Sequence, residues 1–149
     1  MQGAYLGDFA GVQAFELKQP LTIETGYARS FIQKGKPVKQ GSLDKFSAKC
    51  SLEVRTVARE GMNLVVQSGA FAITRIQQRQ FGGGVFGGAL NFEEDFGPVE
   101  PAIDIYLASD AQPGVLRLQC NTWEADAIYA RPVSLADVRG VLGSVAEIR

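Results

Sequence analysis

The sequence predicts a mainly β protein: an antiparallel β-sandwich or open barrel of about seven to eight strands with one C-terminal α-helix. Three observations carry that reading. Apolar and polar residues alternate with period two around Phe15, Cys50, Phe71, Ile105 and Leu118, which gives each segment one apolar and one wet face. Glycine, proline, asparagine and aspartate clusters separate these segments at short intervals. Only the last segment carries helix signals. At 149 residues the chain is most simply one domain spanning residues 1–149, long enough to bury roughly two-thirds of its unfolded surface.

Composition narrows the chemistry. The chain holds no histidine, which removes a Ser/His/Asp triad, a Cys/His pair, a histidine-ligated zinc and an imidazole acid-base step. Its 15 lysines and arginines against 16 aspartates and glutamates leave a net charge of −1, so no overall field favours nucleic acid. No run approaches eighteen apolar residues, so no transmembrane segment is expected. Cys50 and Cys120, seventy positions apart, match no C-x-x-C redox or zinc spacing, which leaves a disulfide or two inert core thiols.

Taken in order, Met1 to Gly11 has no basic start and no apolar run of seven, so it does not read as a leader. Val12 to Ile23 reads as a strand with Phe15 and Leu17 on one face, interrupted at Pro20, which suits an edge or a bend. Tyr27 to Gln33 is a second strand, closed by the turn chemistry of Lys34-Gly35-Lys36-Pro37. Gly41 to Lys49 is a polar connection into a strand running from Cys50 through Val57. There Cys50, Leu52 and Val54 share the apolar face and Ser51, Glu53 and Arg55 the wet one. Arg59-Glu60-Gly61 turns, Met62 to Val66 is a short strand, Ser68-Gly69 turns again, and Ala70 to Arg79 is a longer strand.

Phe81 to Phe92 then packs five glycines and three phenylalanines into twelve residues, followed by Glu93-Glu94-Asp95. That glycine density costs too much backbone entropy for a regular element and predicts a long loop, an uncommon feature in a compact domain and a functional suspect. Ile103, Ile105 and Leu107 alternate with Asp104, Tyr106 and Ala108. Asp110 to Gly114 turns, and the Cys120 strand returns as a hairpin partner with Leu116, Leu118 and Cys120 inward and Arg117 and Gln119 outward. Asn121 to Pro132 is irregular. The chain ends in a helix capped by Ser134 with Asp137 three residues on; Val133 and Val138 are placed for a hydrophobic staple, and Leu135, Val138, Leu142 and Val145 form an apolar stripe.

Three motifs dissolve in context. Gly82 to Gly87 matches G-x-G-x-x-G, but no βαβ unit or following helix could present an N-terminus to a pyrophosphate, so no nucleotide cofactor is expected. Ser42-Leu43-Asp44-Lys45 matches S-x-x-K without the partner motifs that such a serine nucleophile needs. Glu93, Glu94, Asp95, Glu100 and Asp104 lack calcium-loop spacing and read as a solvated acidic run, so neither a metal site nor a catalytic residue is assigned. Phe81, Phe86, Phe92 and Phe96 are the candidate binding residues: they either fold back to cap the sheet or stay available to a protein partner or apolar ligand.

Several stretches together resemble a group of small uncharacterised proteins of proteobacterial cell envelopes that often carry lipoprotein or secretory leaders. They are Ala28 to Gly35, Cys50 with Glu53-Val54-Arg55, Leu116 to Cys120, and Tyr129-Ala130-Arg131-Pro132 running into Ser134 to Arg139. The resemblance implies a periplasmic or outer-membrane-associated protein with Cys50 and Cys120 oxidised, and brings no known activity. The expected function is therefore a non-enzymatic envelope binding or assembly role. The alternative is a lipocalin-like carrier of a small apolar ligand with Phe81 to Phe96 as its lid.

Overall fold

A computed structural model describes residues 7–82 and 97–149. Among the described residues ten strands and one α-helix follow in order: β1 (Ala14–Leu17), β2 (Leu21–Thr22), β3 (Arg29–Gln33), β4 (Lys36–Val38), β5 (Lys49–Val54), β6 (Val65–Val66), β7 (Gly69–Gly82), β8 (Val99–Ala108), β9 (Val115–Asn121), α1 (Leu135–Leu142) and β10 (Ala146–Ile148). Eight of these strands form one curled antiparallel sheet, a half-barrel, in the order β10-β1-β7-β8-β9-β5-β3-β4. β2 and β6 pair separately. The expected mainly β architecture with one helix near the C-terminus is therefore present.

The core lies on one face of the curled sheet and follows the alternation. Phe15 and Leu17 of β1, Phe71 of β7, Ile103 and Ile105 of β8, Leu118 and Cys120 of β9, Cys50 and Leu52 of β5 and Ile32 of β3 are all essentially without exposure. Phe15 and Phe71, directly opposite in register, bring their ring centroids to 6.0 Å. Leu21, Ile23 and Val66 add the small sheet to the same cluster, and Val138, Val141 and Leu142 add the helix. Burying a side chain of this size stabilises by roughly 1.5–3 kcal/mol, so the single shared cluster is what holds the separate pieces together.

Two ends needed tertiary context. The expected C-terminal helix is only eight residues long. It starts as anticipated, with Ser134 Oγ accepting from Asp137 N–H at 3.0 Å and the Asp137 carboxylate accepting from Ser134 N–H at 2.9 Å, a complete capping box. It stops at Gly143, whose φ of +53° ends the helical path, and the chain leaves as strand β10. Val145 is buried, but from the connection to β10 and not from a helical stripe. At the other end Lys36 and Pro37, expected in a turn, belong to edge strand β4, with Pro37 opposite Ile32. The turn itself is Lys34-Gly35, with φ of +55° and +78°, the two-residue hairpin geometry that matches strand twist. Proline is tolerated there because an edge strand has an unpaired side.

Candidate functional site

The face opposite the core is a polar mesh, and the pairing registers define it rung by rung. One rung runs Arg75, Tyr106, Arg117, Glu53, Arg29 across β7, β8, β9, β5 and β3. The next runs Gln77, Asp104, Gln119, Ser51, Phe31, and a third Arg79, Ala102, Asn121, Lys49. These side chains share a face because each strand contributes every second residue.

Arg117 is the hub. Its Nε and Nη2 donate to Glu53, its Nη1 donates to Asp104 Oδ2 at 2.9 Å, and the same nitrogen lies 3.4 Å from Tyr106 Oη. Arg79 Nη1 also donates to Asp104 Oδ2, at 3.0 Å, and Gln119 Nε2 donates to Asp104 Oδ1 at 2.7 Å. Arg29 Nη2 completes Glu53 at 2.8 Å. Asp104 is 0% exposed, so the acidic residue expected to be solvated is in fact covered by its partners. A buried carboxylate is tolerable when its oxygens are bonded, and both oxygens of Asp104 are. The bond to Glu53, and then the charges of Glu53 and Asp104, raise the Arg117 pKa above its already high ordinary value against the opposing effect of burial. The hub stays charged at every pH the fold experiences. Guanidinium groups lie over aromatic rings on the same face, Arg75 and Arg117 over Tyr106 at 5.0 and 5.8 Å and Arg79 over Phe81 at 5.1 Å.

Cys50 and Cys120 sit directly opposite on β5 and β9, on the core side of this mesh, and are joined as a disulfide. Both are about 1% exposed or less, and no cysteine is free. Of the four candidate phenylalanines, Phe86, Phe92 and Phe96 lie outside the described residues, as do Glu93, Glu94 and Asp95. Phe81 belongs to β7, opposite Glu100 and on the polar face, where it carries the Arg79 guanidinium. Glu100 pairs with Lys49 at 3.5 Å. Among the described residues no group of three or more His, Cys, Asp or Glu side chains gathers into a metal-binding set.

A second feature was missed from sequence. Phe46 and Trp123 meet edge to face at 4.8 Å, with Phe46 61% exposed. The residues lie just before β5 and just after β9, and Lys49 and Asn121 are opposite each other, so the pair marks one end of the sheet. Ile128 and Tyr129, 61% and 71% exposed, occupy a turn tied to that same end by Ala127 N–H donating to the Gly97 carbonyl at 3.1 Å. Nothing in the local sequence flags these residues, because Phe46 and Trp123 are far apart in the chain and flanked by polar neighbours. Comparison with protein-family models, with characterised proteins and with solved structures finds no match for this chain.

Proposed function

We propose that this protein is a non-enzymatic component of a bacterial cell envelope, exported and oxidised, that acts by binding or assembling with a protein partner. The observation that carries the reading is the exposed Phe46 held against half-buried Trp123, with Ile128 and Tyr129 also exposed on the turn tied to that end of the sheet. Aromatic side chains are enriched where proteins meet, and Phe46 stays 61% exposed while its ring is held edge to face on Trp123. The buried disulfide suits an oxidising compartment. No helix among the described residues is long and apolar enough to cross a membrane.

The carrier alternative has less behind it. The interior face is occupied by Phe15, Phe71, Leu118 and Leu142, and Phe81 sits on the opposite face. Among the described residues the two buried carboxylates, Glu53 and Asp104, are both engaged, by arginines and an amide.

Photo-crosslinking in the producing cells tests the proposal. A photoreactive phenylalanine at Phe46 or Tyr129 should yield one discrete adduct, recovered with the envelope fraction, that the same group at exposed Glu60 does not. Recovery in the cytosol, or identical crosslinking from all three positions, would overturn it.

A further inference from the structure

We propose that the polar face carries a binding site for a single acidic sugar ring, a pyranose bearing a carboxylate. It shares no residue with the aromatic end and stands whatever docks there. The site is a recess of about 180 Å3 over the middle rungs of the mesh. This is well below the roughly 300–1,000 Å3 of sites for drug-sized ligands, which suits a ligand of one ring.

The chemistry of the lining selects the ligand. Ser51, Gln119 and Asn121 form a hydroxyl-and-amide floor. Such groups both donate and accept, as vicinal sugar hydroxyls do. Phe31, from β3, and Phe81, from β7, line the recess from strands on either side of that floor. The negative face of an aromatic ring attracts polarised C–H bonds, and a pyranose presents a face of these. A planar aromatic ligand would use the rings but leave the floor's donors and acceptors unpaired, and a bare inorganic anion would leave the rings unused.

Charge supplies the acidic preference. Strands β3, β5, β7, β8 and β9 carry five cations, Arg29, Lys49, Arg75, Arg79 and Arg117, and three anions, all on this face. Among the described strand residues of this face the balance is thus +2. Lys49 lines the recess and, among the described residues, pairs with Glu100 at 3.5 Å, one partner for an ammonium with three donors. Arg29 donates through Nη2 to Glu53 and also lines the recess. A ring carboxylate near these two cations gains charge-assisted bonds that a neutral hexose cannot make.

Nuclear magnetic resonance on the intact chain tests this, read at the side-chain amides of Gln119 and Asn121. Methyl glucuronide should shift both saturably, methyl glucoside should bind at least fivefold more weakly, and sodium acetate should leave them in place. Lys49→Gln should bring glucuronide down to the glucoside affinity, and Phe31→Leu, which keeps volume on the sheet, should weaken both sugars at least fivefold in a protein whose amide spectrum stays dispersed. Absence of a saturable glucuronide shift at tens of millimolar would overturn the site. So would acetate acting as well as glucuronide, or a folded Phe31→Leu variant binding normally.

Discussion

Gly35 and Gly143 meet backbone to backbone: a Cβ built on Gly143 would lie 2.7 Å from the Gly35 Cα. Gly35 N–H also donates to the Val141 carbonyl at 2.9 Å. Gly35 belongs to the turn between β3 and β4, at one end of the sheet order, and Gly143 leads into β10 at the other. The half-barrel is therefore drawn together through α1, which touches β3, β5 and β10. Both edge strands are three residues long and one contains Pro37, features that discourage pairing with another chain.

Replacing the two glycines separates strain from contact. Gly35→Ala keeps its Cβ at an ordinary 3.7 Å from Gly143 but sits at a φ of +78°, so it should cost about 1–2 kcal/mol. Gly143→Ala adds a backbone clash to a positive φ and should cost clearly more. Gly114→Ala, with open space and no positive φ, should be nearly neutral. Urea unfolding of the three variants gives the order, and equal effects at Gly35 and Gly143 would refute the contact.

The mesh predicts an asymmetry among ion pairs. Asp104→Ala leaves Arg117 and Arg79 facing a buried void and should destabilise by about 3–5 kcal/mol. Lys18→Ala removes an exposed ammonium paired with Glu16 at 3.4 Å and Glu147 at 3.2 Å, and should leave stability nearly unchanged. Chemical denaturation of both variants checks the contrast.

Helix α1 should weaken in acid. Burial pushes the Asp137 carboxyl up, but the bonds from Arg131 and from the Ser134 N–H and hydroxyl outweigh it and hold the pKa below its usual value. A depressed carboxyl stabilises fully above the unfolded value, about 3.9, and the contribution disappears as the pH falls through the folded one. The stability gap between the native protein and Asp137→Asn should thus be constant near neutrality and close in strong acid, as followed by thermal melts across pH. Ser134→Ala should cost about 1 kcal/mol and Leu142→Ala about 2–5 kcal/mol.

The strands and the helix cap were legible because alternation and capping are local. Cys50, Leu52 and Val54, like Leu118 and Cys120, point inward as their spacing requires, but Leu116 is only half-buried and Val115 is buried instead, beside the register shift between Glu53 and Val54. β10 was not legible: Ala146–Ile148 has no strand signature of its own and exists because β1 offers an edge, with Phe15 opposite Ile148. Ser51, Glu53 and Asp104 were assigned correctly to the second face but wrongly to water. Their burial depends on which strand lies beside which, and the order β7-β8-β9-β5-β3 brings Arg29, Arg79 and Arg117 onto Glu53 and Asp104. Three of the four phenylalanines singled out lie outside the described residues, whereas Phe46 and Trp123 meet only through the β5–β9 pairing.

That pairing also carries the disulfide. Cys50 and Cys120 close a separation of 70 residues, for which chain entropy gives a stabilisation of about 4 kcal/mol, an upper value since residual structure in the unfolded chain reduces it. Such a gain is a large share of a small domain's stability. The direct measurement is the intact mass of protein taken from the producing cells, denatured and treated with a thiol alkylator without reductant. An oxidised, exported protein gains no alkyl group, and gains two only after reduction. Two alkyl groups added without reductant would contradict the disulfide and remove the main physical argument for export.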